Sequence, residues 1–253
     1  MTASAEPRPF PLIRWLRVAG LVALFLTCAP IHIVSKWLLG RSSWPSRFLA
    51  AAARICGVRT RVEGPPLEPH SFVIANHTSW LDILILGGFA GTAFVSKAEL
   101  EKTPLLGWLA DQNHTLYIDR AQRGSAHRQV ERIAEALERP QPLAVFPEGT
   151  TGSGRELLPF RTTLLEAVAP PPPGATVRPV AVDYGEDADV VGWHSGEPGM
   201  VNVKRVLGHR GTMDVTVRLL PPLPPSDDRK TLARHARQAI AAALSSARDP
   251  TSL

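Results

Sequence analysis

At 253 residues the chain can form one large domain with a full core, or at most two small ones. A hydrophobic content of 44% excludes both a disordered chain and a many-pass membrane protein. The formal charge of +5 and a pI of about 9.7 suit nucleic acid, anionic lipid or an anionic substrate, and composition does not choose among them.

The first predicted element is an apolar run over residues 18–35 (VAGLVALFLTCAPIHIVS). Fully helical, it would cover about 27 Å, just short of a hydrocarbon core of ~30 Å. Pro30 falls inside it and is expected to kink or split the helix. Arg8, Arg14 and Arg17 precede the run, and Lys36, Arg41, Arg47 and Arg54 follow it. Positive charge on both flanks disfavours a simple crossing, which points to a bent helix or helical hairpin dipping into one leaflet. A single span is the alternative. A cleaved secretory signal fits less well, because no small-x-small site follows residues 18–29. Next, residues 44–56 (WPSRFLAAAARIC) form an amphipathic helical pattern, with Pro45 in its first turn and Gly57 at its end. This helix either rests at the headgroup layer or packs on the rest of the chain. Cys28 and Cys56 stand in neither C-x-x-C nor zinc-ligand spacing, so no disulfide framework or structural metal is expected.

From residue 57 onward, β-rich runs alternate with helical patterns. Strands are predicted at 57–63, 72–75, 92–96, 115–118, 142–146, 176–183 and 213–219. Ala126, Val130, Ile133, Ala134 and Leu137 recur at helical spacing between 118 and 142, with Ser125 able to cap the start. Leu164, Leu165 and Val168 suggest a further helix, ended by the proline run 170–173, and a last helix covers about 228–247. Such alternation predicts an α/β fold: a mostly parallel central sheet flanked by helices, with an N-terminal membrane-associated helical segment. Residues 1–56 form that segment and 57–253 one α/β domain.

Three polar motifs follow predicted strands. Asn76-His77-Thr78-Ser79-Trp80-Leu81-Asp82 comes directly after FVIA. Five residues separate His77 from Asp82, so a regular helix would not stack them. A turn between them could bring the carboxylate to the imidazole, fixing its tautomer and leaving the other nitrogen to take a proton from a hydroxyl. A buried histidine beside a helix-capping aspartate is the plainer alternative. Phe146-Pro147-Glu148-Gly149-Thr150-Thr151 stands at the end of the strand LAVF; there Gly149 gives turning freedom and Glu148 can accept hydrogen bonds from a substrate hydroxyl or anchor a basic residue. Tyr117-Ile118-Asp119-Arg120 stands at the end of the strand TLYI, and Arg120 can hold a phosphate or simply pair with Asp119 or Glu148. In a parallel sheet, all three motifs would emerge on one edge.

In this order and spacing, N-H-x4-D, Y-I-D-R and F-P-E-G-T resemble the lysophospholipid and glycerol-phosphate acyltransferase family. A fourth block, Val177-Arg178-Pro179-Val180-Ala181-Val182, matches the family's apolar strand with proline. The resemblance covers about 70 to 220. It implies His77 as general base with Asp82 orienting it, and Arg120, Glu148, Gly149 and Thr150 at the glycerol-phosphate end of the acceptor. Pro179 would shape the substrate pocket, and Lys97 matches a further basic position that can meet phosphate. One departure stands out: many members read E-G-T-R-S, whereas this chain has Glu148-Gly149-Thr150-Thr151-Gly152. Arg155 or Arg161 would then have to supply the missing charge.

The implied reaction is direct transfer of a fatty acyl chain from acyl-CoA or an acyl-carrier protein, the co-substrate. The acceptor is the sn-2 hydroxyl of 1-acylglycerol-3-phosphate, giving phosphatidic acid. Neither cofactor nor metal is required. Oxyanion donors are expected among the backbone N–H groups near 77–80. The implied site faces the cytoplasm at the inner membrane, with membrane lipid and lysophospholipid as partners and no nucleic acid. Rival readings keep the chemistry on another lysolipid such as lyso-ornithine lipid, replace the acceptor by water, or make the chain a non-catalytic membrane-binding protein. Nucleic-acid binding is permitted by charge alone, since no zinc finger, P-loop or helix-turn-helix pattern is present.

Overall fold

The computed structural model describes residues 10–40, 42–118, 126–194 and 196–246. The first helix, α1, runs unbroken over Pro11–Leu39 and ends at Gly40, whose φ of 65° closes it. The expected hairpin does not form. Helix continues through Pro30, so the element covers 29 residues rather than two short arms. It is long and apolar enough to cross a membrane by length and composition.

One side of α1 rests on the rest of the chain at both ends. Near its start, the Phe10 N–H donates to Gly208 O, and the Arg17 guanidinium donates to the carbonyls of Val206, Leu207 and Gly211. Cationic groups suit such helix-terminal carbonyls. Near its end, the His32 ring bonds Ser42 Oγ and Gln112 Oε1, each at 2.9 Å. Phe25 meets the edge of Trp108 between these points. Leu12, Trp15, Leu16, Val22, Leu26, Ile33 and Trp37 remain exposed.

Helix α2 (Trp44–Ile55) packs on the domain, the second of its two expected placements: Ala50, Ala52 and Ala53 are buried. Its neighbour is α3 (Leu81–Phe89). A Cβ at Gly88 would lie 2.4 Å from the Ala50 backbone nitrogen, so the two helices meet backbone to backbone.

Among the described residues seven strands form the sheet: β1 (Val58–Glu63), β2 (Ser71–Ala75), β3 (Ala93–Lys97), β4 (Leu116–Ile118), β5 (Leu143–Val145), β6 (Thr176–Asp183) and β7 (Met213–Leu219). Their order is β1-β7-β6-β2-β5-β3-β4. Pairing is parallel from β6 through β4 and between β1 and β7, and antiparallel only between β6 and β7. All seven expected strands are present within a residue or so. Phe72 and Ile74 face one core, Val73 and Ala75 the other, which explains why β2 reads as continuously apolar.

The remaining helices are α4 (Pro104–Gln112), α5 (Ala126–Leu137), a short α6 (Ala188–Val191), α7 (Gly199–Leu207) and α8 (Arg229–Ser246). Helices α2, α3, α6 and α7 cover one face of the sheet, while α5, α8 and a 3-10 helix over Thr163–Val168 cover the other. The expected α-helix around Leu164–Val168 is thus the tighter 3-10 form. Ser125, expected to cap α5, lies outside the described residues.

Candidate active site

The site starts where β2 ends. Asn76 acts as an added backbone unit: its Nδ2 donates to Val182 O at 2.9 Å, and its Oδ1 accepts the Val182 N–H at 2.8 Å. The next residue, His77, is held on both sides of its peptide. Its N–H donates to Glu148 Oε1 at 2.7 Å, and its carbonyl accepts from Gly152 N at 2.9 Å. The imidazole stacks on Phe146 with ring centroids 4.0 Å apart.

Residues 76–79 form no regular secondary structure, and helix begins only at Leu81. His77 therefore precedes the helix while Asp82 sits in its first turn, and the chain between them folds back. His77 Nδ1 lies 2.8 Å from Asp82 Oδ2. That oxygen also accepts the N–H groups of Thr78 (2.7 Å) and Ser79 (2.9 Å). Asp82 Oδ1 accepts from the Tyr184 hydroxyl at 2.6 Å. A carboxylate suits the positive end of α3, and these four donors stabilise it there although it is fully buried. An acceptor carboxylate requires the ring to donate through Nδ1–H, so Nε2 carries the free lone pair. Among the described residues Nε2 has no partner, and the His77 side chain lines a cavity of about 390 Å³. Phe25, Phe48, Leu84, Phe94 and Trp108 make most of its wall apolar.

These contacts narrow the expectation of oxyanion donors near 77–80, leaving only the Trp80 N–H of that stretch uncommitted among the described residues. The N–H groups of His77, Thr78 and Ser79 are spent on Glu148 and Asp82, because fixing the loop and the buried carboxylate requires them. They are not oxyanion donors.

Glu148 is buried, with one oxygen on His77 N–H and the other on Leu158 N–H at 2.9 Å. Burial pushes its pKa up, opposed by these two hydrogen bonds. Gly149 has φ 73°, and a Cβ there would stand 3.1 Å from Arg161 Nε. Thr150 is exposed, and the Thr151 hydroxyl donates to Trp193 O at 3.0 Å. Lys97 is exposed at the end of β3, on the same sheet edge as His77 and Glu148. Pro179 sits buried within β6 opposite Ile74 and is not part of the cavity wall. Arg120 lies outside the described residues, although β4, which precedes it, is parallel to β3 and ends at this edge. Of the two spare arginines, Arg155 is held by Asp189 (2.8 Å) and by the carbonyls of Gly185 and Glu186. Arg161 is exposed, and its guanidinium has no partner among the described residues.

The motifs contain Asn76 and Phe146, but nothing in the sequence assigns either a role. Tyr184 carried no local signal at all, because it reaches Asp82 from 102 residues away.

A histidine whose ring is oriented by a buried carboxylate, and which lines an apolar cavity, is the arrangement that general-base chemistry calls for. Comparison with known proteins shows the family. The family described as Acyltransferase matches residues 34–183, and the chain belongs to that family. It is 37% identical to a lyso-ornithine lipid O-acyltransferase of Pseudomonas aeruginosa, over 95% of each chain. It is 32% identical to one from Brucella abortus, covering 92% of this chain and 94% of that one. A 1-acyl-sn-glycerol-3-phosphate acyltransferase of Neisseria gonorrhoeae is 32% identical over 61% of this chain and 58% of its own length. The crystal structure of the 1-acyl-sn-glycerophosphate acyltransferase from Thermotoga maritima has the same fold, with a TM-score of 0.72 at 20% identity, covering 96% of this chain and 97% of that one.

Proposed function

We propose that this protein transfers a fatty acyl chain from a thioester donor, acyl-CoA or an acyl-carrier protein, to the hydroxyl of a lysolipid, with lyso-ornithine lipid the first-choice acceptor. The observation that carries the reaction is His77 in the wall of the apolar cavity, with Asp82 behind Nδ1 and no partner for Nε2 among the described residues. Nε2 takes the proton of the acceptor hydroxyl as its oxygen bonds to the thioester carbonyl carbon. A tetrahedral intermediate forms. Its collapse breaks the C–S bond, and the leaving sulfur receives the proton from Nε2. The acyl chain lies in the cavity, where Phe25, Phe48 and Trp108 replace water around it. Glu148 braces the loop that holds His77, and the cations at this edge meet the headgroup.

Two features favour lyso-ornithine lipid over the 1-acylglycerol-3-phosphate first expected. Relatives with that activity match over nearly the whole chain. Thr151 also stands where many family members have arginine, and its hydroxyl is committed to Trp193. An ornithine headgroup is zwitterionic, whereas a phosphate monoester carries about −1.5 to −2 charges and calls for more cations. The second reading, 1-acylglycerol-3-phosphate, is supported by the Neisseria relative and by the exposed Arg161 beside Gly149.

The test uses the full chain in detergent with labelled acyl donor and each acceptor separately. Diacylated product is expected with lyso-ornithine lipid, falling about 10²–10⁴-fold in His77→Ala. Preference for 1-acylglycerol-3-phosphate would transfer the assignment to the second reading. Free fatty acid without any acceptor would indicate a hydrolase, and undiminished transfer by His77→Ala would remove the general base. We also propose attachment at the cytoplasmic face of the inner membrane, with α1 lying along the surface: both its ends are tied to the same domain, so it does not project away from it.

A further inference from the structure

We propose that Tyr184, set in register by Asn76, is a positioning residue of the His77–Asp82 pair: it fixes the Asp82 carboxylate and moderates how strongly that carboxylate holds the protonated imidazole. The inference rests on His77 being the base. It is carried by a continuous set of contacts between strand ends. Asn76 exchanges two hydrogen bonds with the Val182 peptide, which locks the end of β6 to the end of β2. Two residues further along, Tyr184 points at Asp82, and its hydroxyl donates to Oδ1 at 2.6 Å. Asp82 then has one oxygen for Tyr184 and one for His77, Thr78 and Ser79. Rotation of the carboxylate would break contacts at both oxygens.

A second consequence is electrostatic. A donor on Oδ1 draws charge away from Oδ2, so Asp82 stabilises the imidazolium less than a lone carboxylate would. Tyr184 is 3% exposed, and burial together with Asp82 holds its pKa well above the usual phenol value. It therefore remains a donor at every working pH. Among the described residues, the other ionisable group against His77 is Glu148, which meets its peptide N–H. Asp82 is thus the carboxylate at the ring, and Tyr184 is the side chain that shares it.

The test combines kinetics with a titration that does not depend on the substrate. Tyr184→Phe keeps the ring and removes the hydroxyl. The expected result is a kcat lower by about ten- to a hundredfold with KM for donor and acceptor unchanged. The base works in its neutral form, so a more firmly held imidazolium moves the acidic limb of the kcat profile to higher pH. The NMR titration of labelled histidine, with the His77 signal assigned by its absence from His77→Ala, should move in the same direction. The chain has only two tyrosines, so fluorotyrosine in a Tyr117→Phe background changes this one hydroxyl without removing it. Its more acidic phenol donates more strongly and should move the His77 midpoint the opposite way. An unmoved midpoint in both proteins overturns the proposal, whatever happens to thermal stability. Should wild type transfer no acyl chain, the assigned activity fails while the titration still reads the contact.

Discussion

At the scale of single residues, the site depends on carboxylates that are buried and fully used. Asp82→Asn replaces an acceptor with a group that can donate to Nδ1, which puts the ring hydrogen on Nε2 and removes the basic lone pair. The expected loss in kcat is about 10³–10⁴-fold with little change in KM, read by steady-state kinetics. Cys56 gives a separate expectation. Burial pushes its thiol from 9.0 to about 12, with Arg17 opposing the shift. Between those values only the unfolded chain loses the proton, so stability falls as pH rises across that window. Denaturant unfolding at pH 8 and pH 10 should show a steeper loss for wild type than for Cys56→Ala, and the native thiol should resist alkylation at pH 8.

At the scale of elements, strand boundaries were legible because the inner strands are short apolar runs, while β1 and β7 mix apolar with polar residues at strand spacing. Two helical expectations changed. The region around Leu164–Val168 tightened into a 3-10 helix, and Pro30 did not divide α1. Proline removes one N–H and crowds the preceding turn, but the contacts of Phe25 and His32 with α4 and Ser42 hold the helix on both sides of it. The packing of α2 on α3 depends on Gly88. Gly88→Ala would place a methyl 2.4 Å from the Ala50 nitrogen, and the backbones would have to separate. A destabilisation of about 1–3 kcal/mol is expected in denaturant unfolding. Because Phe48 and Leu84 on these helices line the cavity, transfer should also favour a different acyl-chain length.

At the scale of the whole molecule, α1 presents two unlike faces. One is tied to the domain at both ends; the other exposes Trp15, Leu16, Leu26 and Trp37. A helix lying along the interface predicts that the protein floats with anionic vesicles and that Trp15→Glu with Trp37→Glu reduces this severalfold. With vesicle-bound protein, added protease should reach tags on both chain ends from the same side. A tag at the N-terminus protected inside the vesicle would show that α1 crosses the bilayer.

The sequence by itself determined the strand–helix alternation, the amphipathic and apolar helices, and the polar motifs at the strand ends. These depend on local periodicity and on motif spacing, which a linear chain displays. Only the tertiary structure decided that His77 reaches Asp82, that Glu148 turns both oxygens onto backbone N–H groups, and that Tyr184 completes the pair. Those contacts form where β2, β5 and β6 end side by side, and pairing across 71 or 102 residues leaves no periodic trace in the chain. The sequence also could not reveal which backbone donors were already taken, because that depends on every polar group the fold brings near them.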